Sequence, residues 1–194
     1  MSQTSEPTSR RWLLMAIGFC ALWVLLLSVF GPGPSAPRLD GGGGGQPADF
    51  AWEMVDLQDR PASLEAYRGK TVFLNIWATW CGPCVAEMPS IARLAEEPRL
   101  KDRGIAFVCV SVDDTTDLVR SFLKGRSWKM DFFRSQEIPR VFQTAGIPAT
   151  FIIGPDGRIA ASEVGSASWD SPETIAMLEK LSTEGSPSPD RKTD

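Results

Sequence analysis

The chain has 194 residues, enough for one domain with extensions, and 43% of them are apolar, as expected of a globular domain with one additional hydrophobic segment. A formal net charge of -4 gives no electrostatic reason to bind nucleic acid. Four cysteines are too few for a disulfide-stapled scaffold, and with no histidine and no second closely spaced cysteine pair a structural zinc site lacks half of its ligands.

Met1 to Arg11 is polar and closes on Arg10-Arg11, and the nineteen residues from Trp12 to Phe30 carry no charge. As a helix they would span about 28 Å, close to the hydrocarbon thickness and long for a signal peptide. A membrane anchor is therefore expected over 12–30, with 1–11 on the cytoplasmic side. No charge follows until Arg38, so the positive-inside rule places the C-terminal bulk on the exported side of a cytoplasmic membrane. A cleaved signal peptide is the competing reading, although no Ala-x-Ala site follows the apolar run, and Ser9-Arg10-Arg11 bears a faint likeness to a twin-arginine signal. Cys20 follows Phe19 rather than the small residue of a lipoprotein cleavage site and is expected within lipid. Residues 31–49, GPGPSAPRLDGGGGGQPAD, have almost nothing to bury and read as a flexible tether that does not orient the domain. Residues 183–194 share that polar composition and read as a disordered tail.

The folded domain is thus placed at 50–182. Phe50 to Val55 is a short strand candidate, Asp56 to Arg60 a turn, and Pro61 to Ser63 the return of an N-terminal β-hairpin. Ser63 caps a helical turn through Tyr67 that closes at Gly69. Thr71 to Trp77 is almost entirely apolar, β-branched or aromatic, which suits a strand covered on both faces, with Asn75 the polar exception. A helix opens at Cys81-Gly82-Pro83-Cys84, with proline where no backbone donor is needed. It runs past Pro89 through Ile91, Leu94 and Ala95 until Pro98 stops it. Gly104 to Val112 is a second buried strand. Thr115 or Thr116 caps a helix with Leu118, Val119, Phe122 and Leu123 on one face. Trp128 to Phe133 is a weaker strand and Ile138 to Thr144 a short helical turn. Thr150 to Ile153, the Gly154-Pro155-Asp156-Gly157 turn and Arg158 to Val164 form the clearest hairpin. The last helix has Ser171 as its cap and Pro172 at its first position, with Ile175, Leu178 and Leu181 facing inward. This order predicts an α/β fold, a central mixed sheet with helices on both faces.

The cysteine pair carries the chemistry. Unpaired N–H groups and the helix dipole favour negative charge at a helix N-terminus, so Cys81 is expected to be the reactive thiolate. Cys84, one turn deeper, can attack a mixed disulfide formed at Cys81 and release the partner. This is thiol–disulfide exchange, and it needs no metal and no cofactor. An inert structural bridge is the bland alternative, although closing so short a loop stabilises little. Cys109 lies mid-strand in an apolar run and reads as inert core. Trp77 reads as core as well, and Trp80 as a surface flank of the sulfur.

The stretch TVFLNIWATWCGPCVAEMP closely resembles the thioredoxin active site, with Pro89 matching the proline that kinks that family's helix. Gly146-Ile147-Pro148-Ala149-Thr150-Phe151 resembles the cis-proline loop that faces the cysteines in thioredoxin-like folds. The resemblance implies that Ile147 offers its backbone to an extended substrate segment and that Pro148 keeps other groups off the sulfurs. From the residues alone, an ordinary trans-proline turn stays open. Gly165 matches the third loop of that groove, so the implied substrate-binding set is Trp80, Gly82, Pro83, Ile147, Pro148 and Gly165. The 64 positions from Cys84 to Pro148 exceed the spacing of a minimal thioredoxin, and the excess falls around Asp113 to Thr144. That insertion, the leading hairpin, Glu87-Met88-Pro89 and the single anchor together resemble the TlpA/ResA-like branch of exported thioredoxins, from Phe50 to about Leu181. Members of that branch reduce disulfides in exported proteins, some in apocytochrome c before haem attachment.

The departures matter too. Cytoplasmic thioredoxins carry a buried aspartate where this chain has Asn75, which cannot take a proton, so the group assisting Cys84 is a water or another carboxylate. Glu87 is the nearest in sequence, although three residues along a helix it could equally be solvated. The acidic residue that many cytochrome-maturation relatives place between the cysteines or after the cis-proline is Gly82 or Ala149 here. The expectation is a membrane-tethered reductase of exported protein disulfides, apocytochrome c being one candidate, re-reduced by a membrane protein that carries electrons from the cytoplasm. A disulfide oxidase or isomerase, a non-catalytic adaptor, and a copper chaperone are the alternatives, the last weakened by the absence of histidine.

Overall fold

The computed structural model describes residues 12, 14–19, 36–37 and 45–184, the last for its backbone only. Two compact units are distinguished, Met1–Gly33 and Pro34–Asp194. In the first, Trp12 and 14–19 are helical, and the side chains of Trp12, Leu14, Met15, Ile17 and Phe19 are exposed. Among the described residues no helix is long and apolar enough to cross a membrane. Most of the segment 12–30 expected to be an anchor lies outside the described residues, as do 1–11, Cys20, most of the tether and nearly all of the tail.

The second unit is a seven-stranded mixed sheet in the order β2-β1-β5-β4-β3-β6-β7. The strands are β1 (Glu53–Asp56), β2 (Pro61–Ser63), β3 (Thr71–Trp77), β4 (Ile105–Ser111), β5 (Asp131–Arg134), β6 (Ala149–Ile153) and β7 (Ile159–Val164). Three helices join them: α1 (Gly82–Ala95), α2 (Thr116–Leu123) and α3 (Pro172–Glu184). β3 is parallel to β4 and antiparallel to β6, so every residue of β3 is paired or covered, and all seven of its residues are buried. That is why it reads as a continuous apolar run rather than an alternating one.

β3, β4 and β5 advance in one direction across the sheet, so right-handed crossovers put α1 and α2 on the same face. Phe73, Trp77, Cys84, Met88, Ile91, Val119, Trp169 and Leu178 form the core there, and α3 joins them. The opposite face buries Phe50, Trp52, Leu64, Val72, Leu74, Ile76, Val108, Val110, Phe142 and Phe151. Helices flank the sheet, but the expectation of helices on both faces holds only in part: α1, α2 and α3 all pack on one face, and the second is covered by 3-10 turns at Leu64–Tyr67 and Arg140–Phe142 together with the N-terminal segment. Helix α1 ends at Ala95, three residues before Pro98, which opens a 3-10 turn of its own.

Several boundaries differ from the sequence expectation. β1 begins at Glu53, because Phe50 and Trp52 turn into the second core instead of pairing. β5 begins at Asp131, after Trp128 has packed against Phe122 and Phe132. Leu118 does not join the inward face of α2; it is exposed while Val119 is buried. Thr115 occupies the N-cap without a side-chain bond, and Thr116 donates instead to Asp59 in the hairpin turn. The end of the expected tether is pinned to the domain. Ala48 N–H donates to the Gly157 carbonyl and Ile159 N–H to that of Gln46, each at 2.9 Å, with Pro47 opposite Arg158. This strap sits where β6 ends, the far end of the sheet from the C-terminus of β3.

Candidate active site

β3 delivers the chain through Ala78, Thr79 and Trp80 to Cys81, the N-cap of α1. Cys81 and Cys84 are joined as a disulfide with Cα atoms 5.2 Å apart, so the structure holds the oxidised form of the pair. Cys81 is 7% exposed and Cys84 is fully buried. The backbone N–H of Cys84 points at the Cys81 sulfur at 3.3 Å, one of the helix-end donors that would hold a thiolate there. Trp80 is 69% exposed beside it, and Gly82 and Pro83 are exposed as well.

Across from the sulfur lies the Gly146–Ala149 loop. The Ile147–Pro148 peptide is cis, as the resemblance implied, and Pro148 is buried. The Ile147 carbonyl oxygen is 3.8 Å from the Cys81 sulfur. Gly165 closes the third side by donating its N–H to the Pro148 carbonyl at 2.9 Å. Its φ of 110° is open only to glycine. All six expected groove residues, Trp80, Gly82, Pro83, Ile147, Pro148 and Gly165, therefore meet around Cys81.

Glu87 is placed differently from the solvated alternative. It is fully buried under α1. Its carboxylate accepts from Asn75 Nδ2 at 2.8 Å, Trp169 Nε1 at 3.0 Å and the Ala167 N–H at 3.1 Å. Burial pushes the carboxyl above its ordinary range, and the bonds from Trp169, Asn75 and Ala167 pull it only part of the way back. Asn75 also donates to Thr150 Oγ1 at 2.9 Å, and Ser90 accepts from the Trp169 N–H at 3.1 Å. The polar exception in β3 is thus the partner of a carboxylate carried by the helix. Cys109, opposite Asn75 in β4, is fully buried, and burial followed by the charge of Glu87 holds its thiol far above the usual range. That fits the inert role expected of it.

Asp113, unmentioned by the motif, is the second buried carboxylate at this end of the sheet. It accepts from the Thr79 N–H at 2.9 Å, Thr79 Oγ1 at 2.7 Å and Ser111 Oγ at 2.5 Å, and so clamps the turn before Cys81. The signal that points to it is its place just past the carboxyl end of a parallel strand, where α/β sheets gather their site residues. Trp169 gave no such signal, since only the loop after β7 brings it to Glu87, and Ser90, one turn beyond Glu87 on α1, shows its part only once that loop packs against it. Among the described residues no cluster of three or more metal-ligating side chains occurs.

The sequence model of the Redoxin family matches residues 44–179. The chain belongs to the Redoxin family. This Redoxin domain is 31% identical over 114 residues to the thiol-disulfide oxidoreductase ResA of Bacillus thuringiensis (strain Al Hakam), covering 58% of this chain and 65% of that protein. It is 29% identical over 115 residues to ResA of Bacillus subtilis (strain 168), covering 63% of that protein. The chain thus spans somewhat less than two thirds of the length of these curated relatives. Among solved structures it superposes on a candidate thiol-disulfide oxidoreductase from Bacteroides vulgatus with a TM-score of 0.61 at 27% identity, over 75% of this chain and 99% of that one. A thiol:disulfide interchange protein from Chlorobium tepidum TLS, at 24% identity and a TM-score of 0.57, shares the fold over 69% of this chain and 97% of its own. The thioredoxin-like architecture expected from the motif is the one found.

Proposed function

We propose that the protein is a thiol–disulfide oxidoreductase that works chiefly as a reductase of disulfides in exported proteins. The observation that carries this reading is the placement of Cys81: a sulfur at a helix N-terminus, under the Cys84 N–H at 3.3 Å and facing the Ile147 carbonyl at 3.8 Å. In the dithiol form the Cys81 thiolate attacks a substrate disulfide, one substrate thiol leaves, and Cys81 is joined to the other. Cys84 then loses its proton and attacks the Cys81 sulfur, which releases the second substrate thiol and restores the Cys81–Cys84 bond. Two electrons pass from the protein to the substrate. Glu87, neutral more readily than an ordinary carboxyl and on the same face of α1 as Cys84, is the proposed acceptor of that proton.

The chain is taken to be tethered to the cytoplasmic membrane by Trp12 to Phe30, with the domain on the exported side, and re-reduced by a membrane protein that carries electrons from the cytoplasm. Apocytochrome c is one candidate substrate, in keeping with the family resemblance, and neither Gly82 nor Ala149 supplies the acidic residue common in relatives of that kind. Equilibration with glutathione tests the direction. The couple is expected well below the roughly -120 mV of a strong periplasmic oxidant, because no cation or histidine lies between the cysteines to over-stabilise the thiolate. A value near that oxidant would reverse the assignment to an oxidase. Cys84→Ser leaves Cys81 bound to whatever it attacks, and recovery of those adducts from the exported compartment names the substrates.

A further inference from the structure

A recess of about 230 Å³ opens beside the cis-proline loop, walled by Ile76, Phe142, Ile138 and Ile147 and rimmed by Gln143, Thr144 and Gly146. Ile76 and Phe142 are fully buried at its floor. Its polar rim is already committed to its own loop: Gln143 Nε2 donates to the Ile138 carbonyl at 2.9 Å, and Thr144 Oγ1 donates to the Gly146 carbonyl at 2.7 Å. The rim side chains are thus engaged, and the walls offer hydrocarbon. A polar occupant would exchange water for little, whereas an apolar one gains the area it buries.

Ile147 connects this recess to the sulfur. Its carbonyl lies 3.8 Å from Cys81, while its side chain packs against both cores, the one beneath α1 and the one on the opposite face. The recess therefore lies on the other side of the loop from the dithiol. Successive side chains of an extended chain point to opposite sides. A substrate segment laid along the loop with its cysteine toward Cys81 presents the adjoining side chain to the recess. A larger recess along the hairpin, lined by Glu53, Val55, Pro61, Arg134 and Gln136, lies beyond β4 from Cys81 and has no such continuity.

We infer that this recess is a specificity subsite that takes a large apolar side chain, such as leucine, next to the cysteine being attacked. The inference rests on the reductase reading and narrows its substrate class to segments in which an apolar residue adjoins the reactive cysteine.

The test uses the domain reduced beforehand with dithiothreitol, in single turnover. Two extended peptides differ only in the residue beside a cysteine carrying a 5-thio-2-nitrobenzoate cap, leucine in one and serine in the other. Cys81 attacks the peptide sulfur, the more acidic nitrobenzoate thiolate leaves, and Cys84 then attacks Cys81 and frees the peptide thiol. Absorbance of the leaving group gives a second-order rate constant for each peptide. The leucine peptide is expected to react on the order of tenfold faster, the range a side chain in an apolar pocket commands. Gly146→Phe is the blocking variant. The position has a φ that any residue adopts, and a Cβ there meets nothing within 4 Å. The expected result is that the leucine-to-serine ratio within this variant collapses toward one. Ile138→Ser, which makes a wall polar, should lower the ratio as well, and circular dichroism verifies that both variants fold. A wild-type ratio near one, or a ratio unchanged in a folded Gly146→Phe, overturns the subsite. No reaction of the wild-type dithiol with either peptide, nor with the small disulfide 5,5′-dithiobis(2-nitrobenzoate), would instead defeat the reductase reading itself.

Discussion

On the α1 side of the sheet the core contains Asn75, Glu87, Ser90 and Thr150, all buried and hydrogen-bonded to one another or to the loop after β7. On the other side, Leu64, Val72, Leu74, Ile76, Phe142 and Phe151 pack as hydrocarbon, and the indole of Trp52 reaches Ser135 and the Glu137 carbonyl only at the margin. A buried carboxylate without a cation costs free energy that nearby donors recover only in part. The chain confines that cost to the face where the dithiol helix packs, and leaves the opposite face to hold the sheet together. The two faces should therefore respond to mutation in different currencies: stability on one, the chemistry of Cys81 and Cys84 on the other.

The largest effect is expected on the apolar face. Leu64→Ala removes a fully buried side chain and should destabilise the domain by about 2–5 kcal/mol. Denaturant unfolding measures the loss, and the glutathione-equilibrated potential should stay where it was. A shifted potential would mean that the two faces are not separable.

A smaller effect sharpens the comparison at the edge of the dithiol face. Thr79→Val removes the hydroxyl that Asp113 accepts at 2.7 Å and leaves part of a buried carboxylate unpaired. The expected cost is about 1–3 kcal/mol. Because Thr79 lies in the turn that presents Cys81, the alkylation rate of the reduced domain should fall too. Lost stability with an unchanged alkylation rate would place the Asp113 clamp with the structural face.

The smallest expected effect has a sign that depends on pH. The folded-state pKa of Glu87 is raised above its ordinary 4.5, so the fold favours the protonated form. The stability this contributes is complete below the ordinary value and is lost as pH rises through the raised one. Glu87→Gln stays neutral, so its stability should vary less with pH across that window and should overtake the wild type at the alkaline end. Parallel stability-pH curves for the two proteins would show that Glu87 is not the titrating group. In the same variant the resolution step from Cys84 should slow if Glu87 takes its proton.

What could be read from the sequence was whatever local chemistry dictates. β3 announces itself by an unbroken apolar run, the helix start by Pro83 after Cys81, and the β6–β7 turn by Gly154 to Gly157. The positions that the thioredoxin resemblance assigned to the groove could be located because each sits within a residue or two of a cysteine, a proline before a strand, or a glycine after one. The buried network was not. Asn75 stood out as polar in an apolar strand, but its partner Glu87 is twelve positions away on another element, and Trp169 is eighty-two from Glu87. Asp113 looked like one more acidic residue after a strand until the fold set it against Thr79, thirty-four positions back. The misplaced starts of β1 and β5 have the same cause. Trp52 and Trp128 are as β-prone as their neighbours, and tertiary packing, not propensity, takes them out of the ladder.

The strap that joins Gln46 and Ala48 to Gly157 and Ile159 fixes where Gly45 sits on the domain. β6 runs five residues, roughly 17 Å, from the loop beside Cys81 to the turn that receives the strap. Whatever is fused ahead of Gly45, whether a purification handle, a fluorophore or a bead linker, will emerge at the opposite pole from the sulfur. Surface-immobilised assays with the domain attached at Gly45 should therefore leave the dithiol facing the solution.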